Sequence, residues 1–190
     1  MTLGHFFFKY RSYTPIPLLL AVLILADPTW ISFVAGLGIM LLGEGMRFWG
    51  VLYAGSATRT TGEVGAGRLV TDGPFAHVRN PLYAGNFLIS LGLTVMSHAW
   101  WPWMLLVFLL LFGMQYTFIV KEEEGFLSKA FGGQYTEYCS HVPRWIPKLR
   151  GFTNSELSNP KMANALRSER NTLQAALSVT LLMLLRWHLF

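Results

Sequence analysis

Apolar positions in this chain fall into long runs rather than into the short alternations of a soluble domain. Pro15 to Ala26 is the first run, with Tyr10, Tyr13 and Trp30 flanking it as interfacial aromatics. Extended to those flanks it is expected to span a bilayer, before Asp27-Pro28 turns the chain. Trp30 to about Tyr53 is the second, with Glu44 and Arg47 inside it. From Asn80 to Val120 there is no Asp, Glu, Lys or Arg, which is length enough for two helices of about 20 residues. Ser97, His98 and Pro102 among Trp100, Trp101 and Trp103 mark the break between those two. Leu173 to Phe190 supplies a fifth apolar run, closed by Arg186, Trp187 and His188 as an interfacial anchor. The pattern predicts an all-α integral membrane protein with about five transmembrane helices. No cleavable leader is expected, because the first run lacks a small-residue cleavage site and another run follows closely.

Composition agrees. Of 190 residues, 53% are hydrophobic and 13% charged, about half the charge of a soluble domain. The mean hydropathy is +0.40. A single water-soluble core and a disordered chain are both excluded. Cys139 is the one cysteine, so neither a disulfide framework nor a multi-cysteine zinc site is available. Beside the apolar face of its segment, that thiol reads as a packing residue.

The net charge of +5 would suit nucleic acid in a soluble chain. Here it orients the protein, and no nucleic-acid partner is expected. All but Arg47 and Arg186 of the 15 basic residues lie before the first run, between the second and third, or in 121–172. The turns near Asp27 and His98 have none. The positive-inside rule therefore puts the N-terminus, the 55–80 loop and the 121–172 segment in the cytoplasm. In a bacterium that means the inner membrane, with the site facing the cytoplasm.

Two short segments on that face carry the candidate chemistry. The 55–80 loop is rich in glycine, which permits tight turns and close ligand approach. It ends in Asn80-Pro81, which reads as a helix cap followed by proline at the first helical position. The second segment opens with Glu122-Glu123-Glu124. Three adjacent carboxylates repel one another; some fit a solvated helix end, and one facing inward would receive a cationic or hydroxyl-bearing ligand. Phe126, Leu127, Ala130 and Phe131 then keep helical spacing up to Gly132-Gly133. Tyr135, Tyr138 and Val142 repeat it as far as Pro143 and Pro147, an amphipathic piece suited to lie against the membrane and roof a site.

GPFAHVRNPLYAG at 73–85, followed by EEEGFLSKAFGGQYTEYCSHVPRWIP at 122–147, resembles the integral-membrane methyltransferases. That superfamily includes isoprenylcysteine carboxyl methyltransferases and phospholipid N-methyltransferases. The shared pattern is Arg-His/Asn-Pro-x-Tyr-x-Gly, a helical hairpin, a Glu-Glu pair, Phe-Gly, two tyrosines and Val-Pro-Arg. GEGMRFWGVLYAG at 43–55 is similar to bacterial members. The resemblance divides the chain into N-terminal helices (1–54), a methyltransferase core (55–150), and a linker with a last helix (151–190).

It implies S-adenosylmethionine as cofactor, in a cytoplasmic site formed by loop 55–80 and segment 121–147. Gly67, Arg68, Leu69, Val70 and Phe75 would line the adenosine, with Asn80, Pro81, Leu82 and Tyr83 next and Glu123 completing the set. Arg79 and glycine-rich backbone suit the cofactor's carboxylate. The implied acceptor is a lipophilic small molecule or lipid entering from the bilayer. Two departures favour a phospholipid amine over an isoprenylcysteine carboxylate. Asn80 stands where the carboxyl enzymes usually have His, and Ile119 where they carry an arginine before the Glu pair. An amine must lose a proton, which His77, Glu122 or Tyr83 would assist; His77 reads equally as a loop residue at the membrane surface. Glu44 and Arg47, at i and i+3, read either as a mutual salt bridge or as contacts to the substrate headgroup. A sterol-reductase-like membrane oxidoreductase using NADPH shares the Asn-Pro-x-Tyr-x-Gly and Tyr138-Cys139-x-x-Val142-Pro143 elements, and a non-enzymatic membrane scaffold is the third reading.

Overall fold

The computed structural model describes residues 3–55, 68–153 and 162–189. Gly67 and the glycine-rich 56–66 stretch lie outside the described residues. Every regular element among the described residues is helical. In chain order they are α1 (Leu3–Lys9), α2 (Ile16–Ile24), α3 (Trp30–Ala54), a 3-10 turn (Gly73–Ala76), α4 (Pro81–Ser97), α5 (Trp103–His141) and α6 (Met162–Leu189). Three helices, Trp30–Ala54, Trp103–His141 and Ala165–Leu189, are long and apolar enough to cross a membrane. With the shorter α2 and α4 there are five apolar helices.

Local chemistry explains the boundaries. Thr29 and Ser32 cap α3 reciprocally: the Ser32 amide donates to Thr29 Oγ1 at 3.1 Å, and the Thr29 amide to Ser32 Oγ at 2.9 Å. Pro81 opens α4, and His98, at φ 51°, closes it where the sequence breaks. The first run forms a regular helix of nine residues, below the length needed to cross a membrane alone. Pro15 and Pro17 set the start of α2, and nine residues reach about 14 Å, half of a hydrocarbon core.

The α3–α4 contact is a glycine seam. Gly36, Gly43 and Gly50 of α3 lie against Gly92, Gly85 and Leu82 of α4. A Cβ on Gly92 would stand 2.6 Å from the Gly36 carbonyl oxygen, and one on Gly43 2.8 Å from that of Gly85. Only glycine lets the two backbones approach so closely. Around the seam, Met40, Ile89, Leu93 and Met96 form one buried cluster with Val22 of α2 and Ala176, Val179 and Met183 of α6.

The two ends of the bundle differ. At one, the Asp27 amide donates to the Ser97 carbonyl at 2.8 Å, Arg186 Nε to the Ala26 carbonyl at 2.9 Å, and Trp187 meets Trp30 and Phe33. At the other, α1 rests on α5: Phe7 stacks on Phe118, and Phe8 is buried with Tyr116 and Ile119. There α5 continues past its apolar part to Gly132, whose non-helical φ of 51° and ψ of −120° bend it. Beyond the bend Tyr135, Tyr138 and Val142 do face one way, but onto Leu69 and Phe152 of the protein's own loops. The apolar stripe that suggested a membrane contact is an internal seam. Helix α6 also begins well before Leu173, so residues 162–170, which read as linker, are helical.

Gly92→Ala should lower stability by about 1–3 kcal/mol, the cost of overpacking against rigid backbone. Gly38 has nothing within 4 Å of an added Cβ, so Gly38→Ala should be neutral or slightly stabilising. Thermal unfolding of both variants in detergent checks the pair. Equal behaviour would remove the seam from its structural role.

Candidate active site

Successive residues on a helix point about 100° apart, and α5 uses this to separate its three adjacent carboxylates. Glu122 faces α1, where its Oε2 would stand 2.7 Å from a Cβ on Gly4. Glu123 faces α4 and accepts a hydrogen bond from the Tyr83 hydroxyl at 2.7 Å. Glu124 faces the loop before α4, pairing with Arg79 Nη1 at 2.9 Å and with Arg144, whose Nε donates at 3.0 Å. Each acid thus has its own surroundings, which eases the repulsion expected of the run without removing it.

The segment 68–80 is fastened to the last turns of α5 and to the chain beyond it. Tyr138 donates to the Phe75 carbonyl at 2.7 Å, the Arg79 amide to the Pro143 carbonyl at 2.9 Å, and the Phe152 amide to the Ala76 carbonyl at 2.9 Å. Asn80 stands at the N-cap of α4, yet its side chain does not cap the helix. Its Nδ2 donates to the Arg144 carbonyl at 3.1 Å, so it splints the two segments instead. His77 is held similarly. Its Nδ1 lies 2.8 Å from the Lys148 carbonyl, its carbonyl receives the Lys148 amide, and its ring lies beside Trp49 and against Gly151.

Arg79 is the hinge of this assembly. Burial works against its charge, but Glu124, Cys139 and Tyr135 outweigh that and raise its pKa above the ordinary arginine value. Nη1 also donates to Cys139 Sγ at 2.9 Å. Its Nε is buried with no acceptor among the described residues.

A second polar group lies deeper, among α3, α4 and α6. Arg47 does not pair with Glu44. Its Nε and Nη2 grip both carboxylate oxygens of Glu169 at 3.1 and 2.9 Å, Nη2 reaches Thr172 Oγ1, and Nη1 donates to Asn86 Oδ1. Asn86 Nδ2 donates to the Tyr116 hydroxyl at 3.1 Å, and the Tyr116 ring meets the Tyr83 ring edge-on at 4.9 Å. A polar track therefore runs from Glu169 through Arg47, Asn86, Tyr116 and Tyr83 to Glu123. Glu44 is buried beside it, with Oε1 lacking a hydrogen-bond partner among the described residues.

Of the residues singled out in the sequence, Tyr83 and Glu123 meet directly. Arg79, Asn80, Pro81 and Leu82 sit at the same end of α4, Leu82 against Gly50. Leu69 packs on Tyr135 and Tyr138, while Arg68 is exposed and Val70 half-buried. Asn86, Tyr116 and Glu169 are not singled out by the sequence, and Glu124 is marked there only as one of three adjacent acids. Asn86 and Tyr116 are single polar groups in apolar runs and carried a weak signal. Glu169 was hidden because its polar neighbours made 151–170 read as linker. Arg11 escaped as well: it covers the Phe8 ring at 4.2 Å and lies in electrostatic range of Glu123 and Tyr83.

The set suits a ligand bearing both signs of charge. The orphaned Nε of Arg79 calls for an acceptor, and Tyr83 with Glu123 offers a polar, half-buried counterpart. No group of three or more metal-ligating side chains is assembled among the described residues. A separate cleft of about 360 Å³ opens beyond the bend of α5, lined by Glu137, His141, Lys148, Arg150, Gly151, Phe152 and Thr153; none of the expected cofactor residues among the described ones lines it.

A family model described as phospholipid methyltransferase matches residues 31–134. Three relatives are similar over about two thirds of this chain. The cobalt-zinc-cadmium resistance protein CzcN of Cupriavidus metallidurans is 33% identical over 65% of this chain and 54% of its own length. The nickel-cobalt-cadmium resistance protein NccN of Alcaligenes xylosoxydans xylosoxydans is 32% identical over 66% and 56%. The protein-S-isoprenylcysteine O-methyltransferase of Xenopus laevis is 33% identical over 65% and 43%. The chain spans about half the length of these curated relatives.

Glu124→Gln keeps the shape of the side chain and removes its charge. The 68–80 segment should loosen, with amide exchange at Arg79, Lys148 and Phe152 faster on the order of tenfold, since charged hydrogen bonds contribute about 1.5–3 kcal/mol. Unchanged exchange at those three amides would show that Glu124 does not hold the loop.

Proposed function

The chain belongs to the phospholipid methyltransferase family, and on that premise we propose that it moves a methyl group from S-adenosylmethionine to a lipid-like acceptor at the cytoplasmic face of its membrane. The observation that carries this reading is the Tyr83–Glu123 pair, set where α4 begins, α5 leaves its apolar part, and the 68–80 segment is clamped down. Loop 68–80, Arg79 to Tyr83 and Glu123 form the cofactor side. Arg79, already paired with Glu124, offers the cofactor's carboxylate the single N–H of its Nε, which has no acceptor among the described residues. Glu123 takes a cationic or hydroxyl group. The aromatic rings of Tyr83 and Tyr116 offer faces to a sulfonium.

When bound, the cofactor supplies an electrophilic methyl whose departure leaves a neutral thioether, so no acid is needed for the leaving group. The protein's task is alignment and exclusion of water. The clamped 68–80 segment covers the polar end of the bundle, and the apolar helices admit a hydrophobic acceptor from the side. An amine acceptor arrives as an ammonium and must lose a proton before it attacks. Tyr83 and Glu123, sharing one hydrogen bond at 2.7 Å, are the pair positioned to receive that proton. Glu122 supports the same end from the α1 side, and His77 does so through Lys148 and Gly151.

A phospholipid amine is the favoured acceptor over an isoprenylcysteine carboxylate. Ile119 is wholly buried between Phe8 and Tyr116 and offers a carboxylate nothing. Arg47, the cation inside the bundle, is already bound to Glu169.

Glu123→Gln should abolish methyl transfer while the protein still folds in detergent. Tyr83→Phe should weaken donor binding about tenfold, the equivalent of one charge-assisted hydrogen bond. Titration with S-adenosylmethionine and a labelled-methyl assay on native lipid extract read both. Retained transfer in Glu123→Gln would refute the assignment, and binding of NADPH in place of S-adenosylmethionine would overturn the function.

A further inference from the structure

Helix α6 lies outside the stretch matched by the family model, yet it sends a carboxylate into the polar track. Glu169 is 1% exposed and grips Arg47 through both oxygens. A guanidinium has five N–H donors, and Arg47 spends four of them on Glu169, Thr172 and Asn86. It therefore has neither the charge nor the free donors to clamp a carboxylate in the bidentate manner. Glu44, one turn away on the same helix face, is 8% exposed, and its Oε1 has no hydrogen-bond partner among the described residues. A buried acceptor without a donor is costly, and a ligand that brings an N–H relieves the cost. Asn86 is one turn along α4 from Tyr83, about 4.5 Å by helical rise, so the group that Glu44 would bind lies just beneath the proposed transfer point.

We propose that Glu169 is a specificity-determining residue for the acceptor. By neutralising Arg47 it leaves the Glu44 carboxyl as the group an incoming headgroup meets, so that this polar site takes an ammonium and refuses a carboxylate. The proposal rests on the methyltransferase reading and deepens it. It assigns the choice between acceptor charges to a helix outside the family core. Rejection comes from the arrangement of like charge and spent donors rather than from shape.

The test uses the full chain in lipid nanodiscs with labelled S-adenosylmethionine. Two acceptors are offered in parallel: vesicles of a phospholipid with a primary amine headgroup, and a prenylated cysteine with a free carboxylate. Glu169→Gln frees the charge of Arg47. The ratio of amine to carboxylate methylation should fall on the order of tenfold or more, equivalent to about 1.4 kcal/mol per decade. Donor affinity should stay within about twofold. Arg47→Gln/Glu169→Gln removes both charges of the pair and should restore the amine preference, a rescue that a merely structural ion pair does not predict. The double variant leaves no unpaired charge from this pair, so it keeps the test open where Glu169→Gln alone fails to fold. Adding Glu44→Gln to it should then erase the preference. A ratio unchanged in Glu169→Gln, or a preference that survives Glu44→Gln in the double background, overturns the proposal while the methyltransferase reading stands. A wild-type protein that methylates neither acceptor nor any lipid of a native extract overturns both.

Discussion

The rest of the molecule depends on how closely α3 and α4 approach. Glycine faces glycine at two levels of the seam, and at a third Gly50 faces Leu82. This brings two backbones to a separation that no side chain would allow. Because Gly85 carries no side chain, Arg47 can lie across α4 and reach Asn86. A bulkier residue at 85 would push Arg47 outward and cut the track between α6 and Tyr83. In a membrane, where lipid tails compete with apolar side chains for the same contacts, close backbone packing is the main source of helix association. The seam therefore holds the helices together and also sets the depth of the polar groups.

The three glutamates show the same economy. Their adjacency is unfavourable in an extended chain and useful in a helix, since a rotation of about 100° per residue distributes them to three partners. One meets α1, one meets Tyr83 and one meets two arginines. Glu123 is left to the Tyr83 hydroxyl because its neighbour Glu124, rather than itself, holds the 68–80 segment in place. Stability and chemistry are divided between adjacent positions.

The apolar runs make the helical class and the hairpin break at His98 legible in the sequence. Hydropathy along a chain reports burial in something, and it does not distinguish lipid from protein. That is why the stripe at Tyr135, Tyr138 and Val142 suggested a membrane contact and proved to be covered by Leu69 and Phe152. Helix length failed at α2 for another reason: proline positions, rather than hydrophobicity, set where that helix starts. Within the candidate site, Tyr83 and Glu123 were recognisable because they lie in the two motifs. Arg47 reads from the sequence as an ionisable residue inside a span, with a salt bridge to Glu44 or a substrate headgroup as its two local readings. The true partner is 122 positions further on, and no local pattern predicts a pairing at that range. Asn80 was placed correctly at the start of α4, while the destination of its side chain required the position of Arg144.

The Arg47–Glu169 pair bears on whether the interior charges are structural or functional. As a fastening for α6 alone it would be a poor choice. Desolvating two charges costs several kcal/mol per ion, and well-packed apolar residues of similar volume usually hold as well or better. Helix α6 already has such contacts in Ala176, Val179 and Met183. An ion pair in that setting adds what packing cannot: a defined sign of charge at a defined depth, and a fixed hydrogen-bond direction toward Asn86 and Tyr116. The unsatisfied oxygen of Glu44 argues the same way, because a helix interface selected only for stability would not leave it there. Under the proposed function, the few charges set inside the bundle, Glu44, Arg47 and Glu169, stand where an incoming polar headgroup would be read from within an apolar medium.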